Sequence, residues 1–269
     1  MNSINVEKAG RFSEHLAQAE IKRQGVSPLT ELDPAITTEE AYQVQLLTIQ
    51  KRLEAGQHIV GKKIGLTSLA MQNLLGVDQP DYGHLLDDMV IENGGIIPWN
   101  RVLQPKVEAE IAFILKKDLV GPRVKAMDVL QATDYVLPAL EIVDSRVADW
   151  KIKLQDTIAD NASSGLYLLG GKPLSVDQLD LAQVGMVLYK NGEIINTGVG
   201  AAALGHPATC VAWLANKLSE FGITLKAGEV ILSGALSAAV NAEPGDLFQA
   251  RFAHLGEVNV RFSKAYRKV

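Results

Sequence analysis

Residues 104–117 read "QPKVEAEIAFILKK" and set Glu108 and Glu110 inside an otherwise apolar run. In a strand, residues two apart share a face, so both carboxylates point the same way. Val107, Ala109, Ile111 and Phe113 take the opposite face, and Ala112 and Ile114 continue the glutamate face with apolar groups. Both faces therefore read as covered. Two ionised carboxylates in such a place repel each other and lose hydration, at a cost of several kcal/mol per ion. A proton, a basic side chain or a cation would offset that cost.

A third acid, Glu141, stands mid-run in "YVLPALEIVDSR" (135–146). Three carboxylates on neighbouring strands make a hard-oxygen site of the kind Mg²⁺ or Mn²⁺ prefers. The competing reading is a set of internal ion pairs with Lys62, Lys63, Lys106 or Arg146. Spacing alone leaves both open.

The surrounding sequence sets the frame. "TTEEAYQVQLLTIQKRLEAG" (37–56) opens on a capping-box pattern, Thr37 to Glu40, and carries Tyr42, Leu46, Ile49 and Leu53 at helical spacing. "TSLAMQNLLG" (67–76) predicts a shorter helix with Ser68 as cap, and "HIVGKKIGLT" between them an extended segment. Beyond about residue 80 short apolar runs alternate with turn signals. Asn191-Gly192 in "YKNGEI" predicts a hairpin, and Pro244-Gly245-Asp246 a turn ahead of a strand. One helix interrupts, "HPATCVAWLANKLSEFG" (206–222), with Pro207 in its first turn and Gly222 after its last. The expectation is an α+β fold: a helical portion over residues 1–75 packed on a continuous β-rich core over 76–269.

Composition narrows the function. The chain has 269 residues, 47% hydrophobic and 21% charged, with net charge -5. Without a basic stripe, nucleic-acid binding is not expected. No run approaches the roughly 18 apolar residues of a membrane helix, nor does the N-terminal stretch read as a signal peptide. The lone Cys210, in the helical pattern, reads as a small buried residue, and a cytoplasmic protein is expected. There is no serine-elbow pattern, and "GVGAAALG" (198–205) lacks the strand and helix of a phosphate loop.

Three further clusters are candidates. Lys63 lies between glycines in "VGKKIGLTS", where the backbone can approach a ligand closely. Asp81 follows a proline in "QPDYGHLLDDM", also a plain turn sequence. "QDTIADNASSG" crowds Asp156, Asp160, Asn161, Ser163 and Ser164 before a strand, either as a capped turn or as a polar wall. His206 reads as a helix-start residue.

Taken together, "GKKIGLTS" (61–68), "GVDQPDYGHLLDDM" (76–89), "LQPKVEAEIAFILKKDLVGP" (103–122), "LPALEIVDSRVADWKIKLQDTIADNASSG" (137–165) and "GEVILSGAL" (228–236) resemble the 2-hydroxypenta-2,4-dienoate (2-oxopent-4-enoate) hydratases of aromatic catabolism, in the fumarylacetoacetate hydrolase superfamily. The resemblance covers nearly the whole chain. It implies a mixed β-sheet roll, a homo-oligomer, a divalent metal (Mg²⁺ or Mn²⁺) and a small 2-hydroxydienoate or 2-oxo acid substrate. It also implies that Glu108, Glu110 and Glu141 are the metal ligands, Lys63 the active-site lysine and Asp81 a proton-handling acid. Asn161 and Ser163 become candidate substrate contacts. The related 4-oxalocrotonate decarboxylases share the triad and the "ADNAS" block, and an apolar residue is expected there where this chain has Asp81. The seven-carbon dioate hydratases are expected to have a longer segment after "DSR". A non-catalytic partner subunit, associated with a related decarboxylase, is the reading from another class.

Overall fold

The computed structural model describes residues 6–68, 72–73 and 76–264. Helices α1 (Val6–Lys22), α2 (Leu29–Leu32) and α3 (Thr38–Glu54) come first. The capping box forms as expected: Thr37 Oγ accepts from the Glu40 N–H, and the Glu40 carboxylate accepts from the Thr37 N–H. The helix expected over 67–76 lies mostly outside the described residues. Only Gln72 and Asn73 of its body are seen, and both are helical.

Three more helices follow, α4 (Ala126–Ala132), α5 (Leu154–Ala159) and α6 (Pro207–Ser219). His206 caps α6 by accepting from the Ala208 N–H, the helix-start role expected of it. Cys210 is buried in the same helix, and burial pushes its thiol up to about 12, so it is inert. No helix among the described residues is long and apolar enough to cross a membrane.

The strands are β1 (Ile59–Gly65), β2 (Asp81–Leu86), β3 (Ile96–Ile97), β4 (Lys106–Leu115), β5 (Thr133–Val143), β6 (Ser164–Leu169), β7 (Gly185–Lys190), β8 (Glu193–Val199), β9 (Val230–Ala235), β10 (Val240–Asn241), β11 (Leu247–Phe252) and β12 (Gly256–Phe262). One mixed sheet runs β2-β1-β9-β4-β5-β6, with β10 beside β4; a second runs β3-β12-β11-β7-β8. The β7–β8 hairpin turns on Asn191 and Gly192, both at positive φ (55° and 90°), as a two-residue primed turn requires.

The alternation along β4 separates two environments. Val107, Ala109, Ile111 and Phe113 join the main core, which includes Phe248, Val258 and Val260 of the second sheet. Ala112, on the glutamate face, joins a smaller cluster with Leu85, Ala139, Tyr167 and Leu232. That cluster is the apolar floor beneath the acids.

The 1–75 portion enters the core further than its helical texture suggests. Strand β1 lies inside it, yet runs antiparallel to β2 and parallel to β9 within the main sheet. Its two lysines hide this role in the sequence, because each is buried against an acid from another segment. Lys62 reaches Glu229 (2.6 Å), while Lys63, on the other face, reaches Glu141. Helix α3 is fixed to the same sheet by the stacked rings of Tyr42 and Tyr82, 4.6 Å apart, and by Gln45 Nε2 donating to the Tyr82 and Ile158 carbonyls.

His84 sits beside Lys62 on this face. Burial first, and then the Lys62 charge, hold its imidazole down at about 3. An unfolded chain takes up that proton near pH 6.5 while the folded one refuses it, so stability should fall as pH drops from about 6.5 toward 3. Melting temperatures across that range should show this slope, and His84→Gln should flatten it.

Candidate active site

Antiparallel pairing of β4 with β5 places Glu108 directly opposite Glu141, and Glu110 opposite Ala139 one pleat along. All three acids share the face predicted from the strand period. One carboxylate oxygen from each lies within 4.8 Å of the others. Glu110 Oε2 accepts from the Gly234 N–H at 2.7 Å, where β9 carries a glycine at φ 104°. Glu110 Oε1 and both oxygens of Glu141 are buried without a hydrogen-bond partner among the described residues. Lys63 Nζ lies 3.2 Å from Glu141 Oε1, an ion pair rather than a well-directed hydrogen bond. Buried orphan oxygens of this kind are rare and call for an explanation.

Of the basic residues weighed as partners, only Lys63 joins the triad. Lys62 goes to Glu229, Arg146 to Asp160, and Lys106 Nζ stands 4.2 Å from the Trp150 ring centre. Three carboxylates and one ammonium leave a deficit of two positive charges, and the donor set is hard oxygen. These residues fit a divalent cation. Burial first, and then the Glu141 charge, push Glu108 up to about 7 and Glu110 well above its ordinary value.

Lys63 and Asp81 meet over Gly65. Strand pairing sets Gly65 opposite Asp81. A Cβ at Gly65 would collide with Asp81 Oδ1 and lie 3.5 Å from Lys63 Nζ, so glycine is required by the two charged heads above it. Burial lowers the tendency of Lys63 to hold its proton, but Glu141, Asp81, Glu108 and Glu110 outweigh it and the ammonium persists. Burial raises Asp81 above the usual carboxylate range, against the opposing pull of Lys63 and a hydrogen bond from Thr157 Oγ at 3.1 Å. A cavity of about 270 Å³ joins Lys63, Asp81, Glu108, Thr157 and Ser163, with Trp150 and Lys106 also on its wall.

The polar wall divides its labour. Ser163 lines the cavity, its Oγ 3.5 Å from Thr157 Oγ. Asn161 does not line it. Its Oδ1 accepts from the His84 N–H and its Nδ2 donates to the His84 carbonyl, docking the 161–163 turn on β2. Its side-chain amide thus positions the turn.

Asn161, Ala162 and Ser163 all have left-handed φ (55°, 51°, 52°), a costly run for residues with a Cβ. Buried Arg146 holds it in place. Its guanidinium donates to the Asp160 carboxylate and to the carbonyls of Asp144, Asp160 and Ser164. Arg146→Met would leave Asp160 buried and unpaired, so we expect a loss of about 3–5 kcal/mol in urea unfolding. Arg146→Lys should recover little, since a lysine cannot reproduce the fork.

Sequence reading missed Thr157 and Trp150 as cavity residues. Thr157 stood inside the quoted polar block, three residues before Asp160, and its hydroxyl was the available signal. Nothing local marked Trp150.

The profile of the family described as fumarylacetoacetate (FAA) hydrolase C-terminal matches residues 76–263. The chain belongs to this family. Among family relatives, the 2-keto-4-pentenoate hydratase of Paraburkholderia xenovorans is 48% identical over 250 residues, 93% of each chain. The 2-hydroxypent-2,4-dienoate hydratase of Pseudomonas putida is 54% identical over 213 residues, 79% of this chain and 96% of that one. The solved 4-oxalocrotonate decarboxylase of Pseudomonas putida G7, complexed with magnesium and adipate, superposes with a TM-score of 0.93 at 40% identity, covering 97% of this chain and all of that one.

Proposed function

We propose that the chain is a divalent-cation-dependent hydratase that converts 2-hydroxypenta-2,4-dienoate to 4-hydroxy-2-oxopentanoate. The observation that carries this reading is a carboxylate triad only partly balanced by Lys63, with Glu108, Lys63 and Asp81 lining one cavity. The hydratase names of the relatives at 48% and 54% identity support it. The magnesium in the decarboxylase structure supports a divalent cation at Glu108, Glu110 and Glu141, Mg²⁺ or Mn²⁺ in our reading.

A cation held there would supply Lewis-acid polarisation of the substrate's 2-oxygen. The remaining work falls to the chain. Net reaction requires a proton at C5 as the dienol ketonises, then water at C4 and a proton at C3. Negative charge grows on the 2-oxygen when water adds, and the Lys63 ammonium, fixed before reaction, stabilises it. Asp81, with its raised proton affinity, is suited to take a proton from water and return one to carbon. Thr157 holds Asp81 in place, and Ser163 offers a hydroxyl on the same wall.

The test is a direct comparison. The purified chain with Mg²⁺ or Mn²⁺ should hydrate enzymatically generated 2-hydroxypenta-2,4-dienoate and release CO₂ from 2-oxo-3-hexenedioate far more slowly. Faster decarboxylation than hydration would overturn the reaction while leaving the fold and the triad in place.

A further inference from the structure

The cavity beside the triad has a second ammonium on its wall. Lys106, Glu108 and Glu110 share one face of β4, so Lys106 stands one pleat outside Glu108. It is half-buried, yet it forms no ion pair among the described residues. Lys62, Lys63 and Arg146 each give their charge to a carboxylate, whereas Lys106 Nζ rests 4.2 Å from the Trp150 ring centre. The ring steadies a cation but leaves its N–H donors without an anionic acceptor.

Trp150 is fixed in that position. Its φ is 55°, a conformation that disfavours a residue with a Cβ, and its Nε1 donates to the Gln104 carbonyl at 3.0 Å. Gln104 Nε2 in turn donates to the Ser145 carbonyl at 2.8 Å. Strain held by specific contacts is characteristic of functional positions. Charge points the same way. The three carboxylates are balanced by the Lys63 ammonium together with a divalent cation, so an incoming 2-oxo acid adds a negative charge that Lys106 is placed to meet.

We propose that Lys106, braced by Trp150, is a substrate-binding residue: it takes the carboxylate oxygen turned away from the triad and so fixes which end of the substrate faces the acids. The proposal rests on the hydratase reading for the orientation of the substrate. Asp81, the proton-handling group, stands on β2, with β1 and β9 between it and β4. Lys106 stands on the triad's own strand. The carboxylate head therefore belongs beside Lys106, and the carbon chain runs toward Asp81.

Saturated ligands test this without turnover. In calorimetric titration of the Mg²⁺-loaded protein, Lys106→Met should weaken 2-oxopentanoate by about 10- to 100-fold, the range for losing a charge-assisted hydrogen bond. Its amide, 2-oxopentanamide, keeps the two head oxygens without the charge and should lose less than about threefold. Lys106→Arg should recover most of the affinity for the acid, and Trp150→Leu should cost about three- to tenfold. Mg²⁺ itself should bind Lys106→Met at least as tightly as the unaltered protein, since a positive charge near Glu108 is gone. Unchanged 2-oxopentanoate affinity in Lys106→Met, equal losses for acid and amide, or a loss of Mg²⁺ affinity would each overturn the proposal. So would a Lys106→Met defect confined to the second carboxylate of 2-oxohexanedioate, which would put Lys106 at the tail. Dienoate hydration by the unaltered protein is measured in parallel. A Lys106-dependent acid preference without hydration would retire the reaction and keep the head site; hydration with no such dependence would do the reverse.

Discussion

Exhaustive chelation is expected to abolish turnover, and Glu110→Gln or Glu141→Gln to weaken Mg²⁺ binding by about 100- to 1000-fold, about 3–4 kcal/mol and within the range for breaking a buried charge interaction. Two fully ionised carboxylates whose oxygens lie within 4.8 Å repel by at least about 3 kcal/mol even at an effective dielectric constant of 20. One ammonium cannot balance three such groups. Before a cation arrives, protons relieve the repulsion, as the raised Glu108 and Glu110 indicate. The glutamine variants therefore carry a signature that a structural role would not give. Without Mg²⁺ they should melt at or above the temperature of the unaltered protein, because a repelling charge is gone. With Mg²⁺ they should lose most of the added stability that cation binding confers. Full activity in the unaltered protein after chelation would remove the cation from the mechanism.

The sequence made the glutamate face legible because a strand's period is two, and that much needs no partner strand. The pairing of Glu108 with Glu141 was not legible. It depends on the register of β4 against β5, across a loop that contains α4. The choice between a cation and ion pairs turned on where four basic side chains go, and each is directed by a segment distant in the chain: Lys62 by Glu229, Lys63 by Glu141, Lys106 by Trp150 and Arg146 by Asp160. The same limit explains Asn161. Its neighbours in sequence suggest a polar wall, but the amide faces His84 on β2, while Thr157, Ala162 and Ser163 of the same stretch reach the cavity. The extended reading of residues 58–67 matches β1, but its place inside the main sheet was not legible, because two adjacent lysines disguise a buried strand. The resemblance carried the roles of Lys63 and Asp81; their approach over Gly65 came from the antiparallel register of β1 and β2.

Asp81→Asn is expected to cut hydration of the five-carbon dienol by about 10²–10⁴-fold, the range general acid–base groups command, with Mg²⁺ affinity within about threefold of the unaltered protein. Asparagine keeps the shape of the side chain and an oxygen for the Thr157 hydroxyl. It cannot take a proton from water. Lys63 would lose one nearby negative charge but keep Glu141 at 3.2 Å, so the ammonium stays in place. Lys63→Met gives the contrasting result. It removes a charge that opposes the growing negative charge on the 2-oxygen, so kcat should fall more than KM changes. It also withdraws from the triad the ammonium paired with Glu141, so Mg²⁺ should bind at least as tightly as before. The two variants thus separate proton handling from charge stabilisation by their metal affinities. The pH profile separates them again. Because burial raises Asp81 above the usual carboxylate range, the acid limb of kcat/KM in the unaltered enzyme should lie above the position of a free aspartate. That limb should vanish in Asp81→Asn and survive in Lys63→Met. An acid limb that persists unchanged in Asp81→Asn would assign the proton transfer to another group and return Asp81 to the role of a counter-charge for Lys63.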